Sequence, residues 1–467
     1  MVAPTPIPSA RRASRRPARV ALAVRAGLMT SAVSRRLGRG DGTVIGGRVS
    51  LLVDPRALAH LGAGRWTALV SGTNGKTTTT RLLRAALATA GPVATNPQGS
   101  NLPPGLVAGL SAARAGAAAA LEVDEAWLGI AADALQPRTL TLLNLTRDQL
   151  DRVAEVRRLS ERWRMVVRAT PGAHVIANAD DPLVAWAALA ATGAAPSAGT
   201  GAPLSATVRA TGAAGPLSPQ AETEAPDDAG LPSRCTWVGA GQPWLEDASG
   251  CPSCGGRIRW HGLDWACGDC GFCRPEPALW LEGDEVVEAG GRRHQLALAL
   301  PGRANRANAA MAAATAACAG VTLDTAFAAM AATTAVDGRY RQAVVGDTRA
   351  RMLLAKNPAG WLEVFDMLAP PPGPVVVVIN ARIADGRDPS WLWDVPFERL
   401  AGRRVAASGE RCLDLAVRLH YAGVEHLRIA DPLEAVRALG PAPVDVAANY
   451  TALRDIDGRL GRQLADA

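Results

Sequence analysis

The chain has almost no lysine: of 50 Lys and Arg residues in 467, only Lys76 and Lys356 are lysine. A lysine that persists in an arginine-dominated chain marks a place where a compact ammonium on a flexible stem serves better than a broad planar guanidinium. Long apolar runs are also missing. None approaches the roughly 20 residues that a membrane span requires, which excludes a spanning helix as the organising feature. The start of the chain is Arg-rich, with Arg11, Arg12, Arg15, Arg16 and Arg19 among Pro, Ser and Ala. It lacks a cleavage site behind a continuous apolar core, so residues 1–40 read as a basic arm followed by a short helix near 20–37, not as a removable targeting peptide. With a formal net charge of +7, that arm suits anionic lipid headgroups, nucleic acid or plain solvation.

A length of 467 residues suits about three domains. Lys76 stands in Ser71-Gly72-Thr73-Asn74-Gly75-Lys76-Thr77-Thr78. The residues before it, 66–70, are apolar enough for a buried strand, and 77–90 read as a helix closed by Gly91-Pro92. Strand, glycine loop and helix make a phosphate cradle, with backbone N–H groups and the helix N-terminus facing the anion. The common G-x-x-x-x-G-K-[ST] pattern would place its first glycine at Val70, so the loop here is a shorter form; the bland alternative is a simple glycine turn.

Strands are expected at 93–95, 117–123 and 139–145, and helices at 104–113, at 124–135 and from near 148. Strands alternating with helices at this spacing imply a parallel sheet covered on both faces, with ligands at the carboxyl ends of the strands. Glu122 and Asp124 fall at one such end and Asn144 at the next. A carboxylate opposite Lys76 and Thr77 is a hard oxygen ligand suited to Mg²⁺, which selects Glu122. Asp124 and Glu125 read equally as acids in the first turn of the following helix.

Of eight cysteines, four form two C-x-x-C knuckles, Cys251/Cys254 and Cys267/Cys270, separated by twelve residues. Four thiolates so arranged suit tetrahedral Zn²⁺, and a glycine after the second cysteine of each knuckle lets backbone N–H groups approach the sulfurs. This ribbon, 246–275, follows a low-complexity stretch, 192–232, that reads as a flexible insertion. Only Arg257, Arg259 and Arg274 lie near it, too few for a face that tracks phosphates. Cys273 is a spare outside the set, Cys235, Cys318 and Cys412 have no evident partners, and this usage fits a reducing cytoplasm.

Pro301-Gly-Arg-Ala-Asn305-Arg-Ala-Asn308 opens a further helix, with both asparagines on one face; N-terminal capping is the alternative for Asn305. A third domain is expected from 337, with Lys356, a strand at 375–379 and the segment Asp385-Gly386-Arg387-Asp388-Pro389.

The loop G-T-x-G-K-T-T resembles the ATP loop of the Mur ligase superfamily. That resemblance implies that Gly72, Thr73, Asn74, Gly75, Lys76, Thr77 and Thr78 bind ATP, that Thr77 and Glu122 hold Mg²⁺, and that Asn305 contacts the nucleotide. Peptide-forming members resemble N-x-T-x-D-H-x-D-R at the next motif and use a carbamylated lysine. Here the segment is Asn144-Leu-Thr-Arg147-Asp148-Gln149-Leu-Asp151-Arg152, and no lysine lies between Lys76 and Lys356. Salt-bridging among Arg147, Asp148, Asp151 and Arg152 is the structural alternative. The R-D-Q-L-D-R form, the ribbon, 384–394, Ser408-Gly409-Glu410-Arg411 and Asn449-Tyr450-Thr451 resemble the MurT-like branch, from about 40 to 453.

The fold so implied is α/β: a Mur ligase-like P-loop central domain over 41–336 with the inserted four-cysteine zinc ribbon, then a C-terminal Rossmann-like α/β domain over 337–467. The implied activity is ATP-dependent amidation of the D-glutamate α-carboxylate in the lipid II stem peptide, through an acyl phosphate. No cysteine here sits in a glutaminase elbow, so ammonia would come from a GatD-type glutaminase subunit. Lys76 and Lys356 would neutralise charge at the phosphoryl group, and Asp388, with Asp385 as runner-up, would complete the partner's Cys-His pair; for Asp388 a turn-capping role is the alternative. Cytoplasmic location, peripheral contact with the inner membrane face and no nucleic-acid partner complete the expectation. An amino-acid-adding Mur or folylpolyglutamate-type ligase and a zinc-ribbon nucleic-acid-binding ATPase are the competing readings.

Overall fold

The computed structural model describes residues 18–37, 42–96, 99–147, 153–192, 234–241, 245–333 and 340–465. The Arg11–Arg16 cluster, Asp148 to Arg152, almost all of the 192–232 insertion and the expected domain start at 337 lie outside the described residues.

Helices α1 (Ala18–Arg36) and α2 (Thr43–Val53) form an N-terminal hairpin, and α3 (Ala57–Gly62) leads into the first sheet. In chain order that region holds β1 (Thr67–Ser71), α4 (Lys76–Ala88), β2 (Val93–Ala94), α5 (Pro103–Ala112), β3 (Ala118–Glu122), α6 (Leu128–Leu135) and β4 (Thr139–Leu142). Then come α7 (Val153–Ala169), β5 (His174–Asn178), α8 (Pro182–Ala188) and β6 (Cys235–Gly239). The small hairpin β7 (Ile258–His261) and β8 (Asp264–Cys267) carries the ribbon, and β9 (Leu279–Glu282), β10 (Glu285–Glu288) and β11 (Arg293–Gln295) complete the sheet. The strand order is β11-β10-β9-β6-β5-β4-β1-β3-β2, parallel from β9 to β2 and antiparallel at the β9-β10-β11 edge.

All five residues of β1 are buried, as a parallel strand covered on both faces demands. Ala68 and Val70 join a core with α4 and two later helices, α9 (Arg303–Ala317) and α10 (Leu323–Ala331), whereas Leu69 joins Leu106, Leu128 and Trp163 on the opposite face. That alternation is the period-two side-chain geometry of a strand.

The second sheet contains β12 (Tyr340–Val345), β13 (Thr348–Leu354), β14 (Val375–Val378), β15 (Val405–Ser408), β16 (His426–Arg428) and β17 (Val444–Ala448) in the order β12-β13-β17-β14-β15-β16. Only the β12-β13 hairpin is antiparallel. Helices α11 (Pro358–Met367) and α12 (Cys412–Tyr421) cover one face, and α13 (Pro432–Leu439) and α14 (Tyr450–Ala465) the other. Parallel strands place their carboxyl ends on one edge, so Lys356 after β13, Asp385 and Asp388 after β14, Gly409 after β15 and Thr451 after β17 gather there.

The expected helix at 124–135 starts only at Leu128. Asp124 Oδ1 accepts from Ala126 N at 3.0 Å, a local turn that competes with helix initiation. Asp124 and Glu125 are therefore not acids of a first helical turn.

Candidate active site

The phosphate loop joins β1 to α4, and two of its glycines are set by close approach. Gly75 has φ of 84° and lies against the Asn308 amide, where a Cβ would collide. At Gly72 a Cβ would stand 2.7 Å from Leu143 Cβ. The loop is pinned from the β4 side: Asn74 N donates to Asn144 Oδ1 at 2.9 Å, Asn144 Nδ2 donates to Asn74 O at 3.0 Å, and Thr73 Oγ1 donates to Thr146 O at 3.0 Å. Asn144 and Thr146, noted in the sequence as a motif, are thus the frame of the loop.

Lys76 is buried, and its Nζ donates to Gly72 O at 2.5 Å, to Thr73 O at 3.2 Å and to Glu125 Oε2 at 3.1 Å. Glu125 took no part in the sequence-derived site. The only signal for it was its position three residues past Glu122. Glu122, at the end of β3, accepts from Thr77 Oγ1 at 2.9 Å, and its backbone N–H is held by Asn96 Oδ1 at 2.9 Å. Thr77 and Glu122 also border a cavity of about 260 Å³ lined by Thr80, Arg81, Arg84, Thr95 and Asn96.

A second cleft opens on the other side of the loop, between the two sheets. Asn74, Gly75, Thr78, Asn305 and Asn308 line it from one side, and Lys356, Gly360 and Glu363 from the other. The two sides touch: Asn74 Nδ2 donates to Asn357 Oδ1 at 3.3 Å, and Arg303 pairs with Glu363 at 2.6 Å. Asn357 also caps α11 through Gly360 N at 2.9 Å. Burial raises the Glu363 carboxyl above its ordinary range, against the pull of Arg303. The capping alternative for Asn305 is overturned. Gly302 is the N-cap of α9, and Asn305 Nδ2 donates backwards to Pro301 O at 2.6 Å. Asn308 accepts from Thr79 Oγ1 at 3.1 Å and abuts Gly75, so it belongs to the cleft as much as Asn305 does.

Asp385 and Asp388 differ in kind. Asp385 is buried and fully used by Thr451: Oδ1 accepts from Thr451 N at 2.9 Å and Oδ2 from Thr451 Oγ1. Asp388 is exposed, and its Oδ1 accepts from Ser390 N at 2.9 Å, which lowers its carboxyl below the usual range. The turn-capping contact, the alternative considered for Asp388, is present on an exposed side chain.

Away from the cleft, the Sγ atoms of Cys251, Cys254, Cys267 and Cys270 all lie within 4.8 Å of one another, with Cys251–Cys270 at 3.7 Å and Cys254–Cys267 at 3.5 Å. A tetrahedron of thiolates about 2.3 Å from Zn²⁺ has edges of roughly 3.8 Å, so the four sulfurs fit that ion. Gly256 N and Asp269 N approach Cys254 Sγ and Cys267 Sγ at 3.3 and 3.4 Å. Cys273 is exposed and outside the cluster. The ribbon is bolted to the turn between β5 and α8: Trp265 Nε1 donates to Ala179 O at 3.1 Å, and Arg274 pairs with Asp180 at 2.5 Å. Arg147 meets Asp247 at the ribbon's base, a partner 100 residues away; the local acids Asp148 and Asp151 lie outside the described residues.

A shortened phosphate loop on a parallel sheet, closed over by a second α/β unit, is a Mur ligase-type fold. Residues 70–202 match the Mur ligase middle domain and residues 354–453 the MurT ligase C-terminal family. The pseudomurein peptide ligase type C from Methanothermus fervidus shares the fold with a TM-score of 0.59 at 17% identity, over 86% of this chain and 78% of that one. MurF from Acinetobacter baumannii does so at 0.58 and 15%, over 88% and 80%. The chain is thus similar to the MurT-like members of the Mur ligase family over two separate stretches. It is 29% identical over 441 residues, 88% of each chain, to subunit MurT of the lipid II isoglutaminyl synthase (glutamine-hydrolyzing) from Streptococcus pneumoniae. It is 25% identical over 415 residues, 84% of this chain and 85% of the other, to subunit MurT from Staphylococcus aureus strain N315.

Proposed function

We propose that the chain is the ATP-using subunit of a two-subunit amidotransferase that converts the D-glutamate α-carboxylate of the lipid II stem peptide to D-isoglutamine, with ammonia from a GatD-type glutaminase. The observation that carries this reading is the cleft in which the phosphate loop, Asn305, Asn308 and Lys356 converge across the Asn74–Asn357 contact. ATP would lie there, its phosphates on Gly72 to Thr78 and the N-terminus of α4. Thr77 Oγ1 and Glu122 Oε2 are a hard oxygen pair fit to hold Mg²⁺, which neutralises phosphate charge when bound. The Arg81 and Arg84 cavity on the far side of that pair is a suitable approach for an anionic acceptor.

The acceptor carboxylate oxygen attacks the γ-phosphorus, and the bond to the β-phosphate oxygen breaks, giving an acyl phosphate and ADP. Ammonia then attacks the acyl carbon, phosphate leaves and the nitrogen loses a proton. Lys76 and Lys356 supply positive charge where the transferring group gathers negative charge. The four cysteines would hold a structural Zn²⁺ that fixes the ribbon. Arg274 is neutralised by Asp180 and Asp264, which supports a ribbon that is a clip and not a nucleic-acid face. Exposed Asp388 is the aspartate we assign to the partner's Cys-His pair. A reaction that uses ATP and this precursor would run in the cytoplasm.

The test is reconstitution with a cognate glutaminase, glutamine, ATP and lipid II. Equal amounts of ADP and of stem peptide bearing a carboxamide are expected, followed by mass spectrometry. Amidation independent of ATP, or an unchanged stem peptide beside active glutamine hydrolysis, overturns the reading.

A further inference from the structure

We propose that the α1–α2 hairpin is a membrane-docking face that seats the protein on a leaflet containing anionic phospholipid. The inner side of α1 is fixed by backbone packing. Gly27 and Gly46 meet so closely that a Cβ on either would stand 2.6 or 2.5 Å from the other's carbonyl oxygen. Ser50 Oγ donates to Ala23 O at 3.0 Å and Ser31 Oγ to Gly42 O at 3.0 Å. Val20, Ala23, Val24, Gly27, Ser31 and Ser34 are buried on that side.

The opposite side of α1 should then be polar, as on an ordinary surface helix. It is not. Leu22, Met29 and Val33, spaced i, i+7 and i+11 on one stripe, are 61%, 70% and 54% exposed. Arg25 and Arg36 flank that stripe along one side by helical geometry, and Arg19 along the other. On α2, Ile45 and Leu52 are also exposed, beside Arg48. Residues 18–37 and 42–53 contain five arginines and no acid.

A helix with an exposed apolar stripe and basic flanks lies in the plane of a lipid interface, its arginine stems extending along apolar surface while their heads stay at the headgroups. Spanning is not an option, since no described helix is long and apolar enough to cross a membrane. The charge chooses the occupant: a second copy would bring the same arginines against these, whereas an anionic leaflet complements them. Position supports the same occupant. The hairpin packs on α5 through Gly47 against Pro104, and the loop before α5 supplies the Ser100 carbonyl that orients Asn96 beside Glu122. Resting here on the proposed function, this puts the docked flank next to the acceptor side of the site, where a lipid-linked substrate arrives.

The full chain, with its glutaminase, is sedimented with vesicles of phosphatidylcholine alone or with phosphatidylglycerol added. Binding to the anionic vesicles only, falling with added salt, is expected. Met29→Glu with Val33→Glu removes it, and each of Arg25→Gln and Arg36→Gln weakens it about fivefold, the factor for about 1 kcal/mol per surface arginine. Amidation of a water-soluble stem-peptide analogue stays unchanged in these variants, which separates this proposal from the function above. No binding to anionic vesicles overturns it, as does equal binding to both compositions. A self-association abolished by Met29→Glu without vesicle binding assigns the face to a second copy, and co-elution with the glutaminase lost in that variant assigns it to the partner.

Discussion

Lys76 Nζ stands 3.1 Å from Glu125 Oε2, with the two side chains only 8% and 14% exposed. The ammonium is held by a carboxylate and by the loop's own carbonyls at Gly72 and Thr73. Triphosphate oxygens would compete with Glu125 for that charge, so the pair positions the lysine and can be exchanged for a ligand contact.

Lys76→Ala should lower ATP-dependent amidation by at least about a hundredfold, the scale of losing one preorganised charge donor at a reacting oxyanion. Lys76→Arg should not rescue it, because a planar guanidinium does not fit beneath the Gly72 carbonyl. ADP release in the reconstituted complex measures both, with circular dichroism to confirm folding. Rates near wild type in Lys76→Ala would remove the phosphate loop from the mechanism.

The loop, Glu122 and the two knuckles were legible because each is a local pattern whose chemistry follows from spacing. Glu125, Asn357 and the Arg303–Glu363 pair were not, since each acquires its role only when separate segments meet. Asn357 is 283 residues from Asn74. The late start of α6 was hidden for a related reason: the Asp124 turn and the Lys76–Glu125 contact outweigh helix propensity over four residues. The alternation of Ala68 and Val70 against Leu69 could be anticipated from a buried parallel strand, whereas the anchoring of the ribbon through Trp265 and Arg274 could not.

The ribbon gives a metal prediction. Cys251→Ser or Cys270→Ser should reduce zinc from about one ion per chain to near zero, since three thiolates no longer close the tetrahedron. The loss should loosen the packing of Trp265, Phe272 and Trp186, visible as a red shift in tryptophan emission and a lower melting temperature. Elemental analysis of wild-type protein purified under reducing conditions is the decisive control. Absence of zinc there would sink the assignment.

His174 makes stability depend on pH. Burial, with Arg234 adding repulsion, pushes its imidazole down to about 4, and its Nε2 lies 2.8 Å from Thr236 Oγ1. An unfolded histidine titrates near 6.5, so between about 6.5 and 4 the unfolded chain binds a proton that the fold refuses. The contribution is present above 6.5 and is lost as pH falls toward 4. Asp181 acts with the opposite sign: burial, opposed by N–H groups from Leu145, Leu183 and Val184, raises it to about 7, so its contribution declines as pH rises from 3.8 through 7. His174→Gln should therefore flatten the acid limb of the melting temperature against pH and leave the Asp181 component. An unchanged acid limb would contradict a buried neutral His174.

Asp388 and Asp385 can be separated by their nitrogen source and by their stability. Asp385 spends both carboxylate oxygens on Thr451 inside the fold, so Asp385→Asn should destabilise the C-terminal unit by about 1–3 kcal/mol, the cost of a compromised buried acceptor. Asp388 is exposed, and among the described residues its contact is the local one with Ser390. If it serves the partner's Cys-His pair, Asp388→Asn should leave the melting temperature unchanged and cripple glutamine-dependent amidation, because the histidine loses the charge that orients it. Amidation with free ammonium should persist, since Lys76, Glu122 and Lys356 are untouched. Equal loss with both nitrogen sources, in a complex that still assembles, would place Asp388 in the ligase chemistry. Retention of glutamine-dependent activity would instead require another acid on the partner-facing edge, and buried Asp385 could take that part only by releasing Thr451.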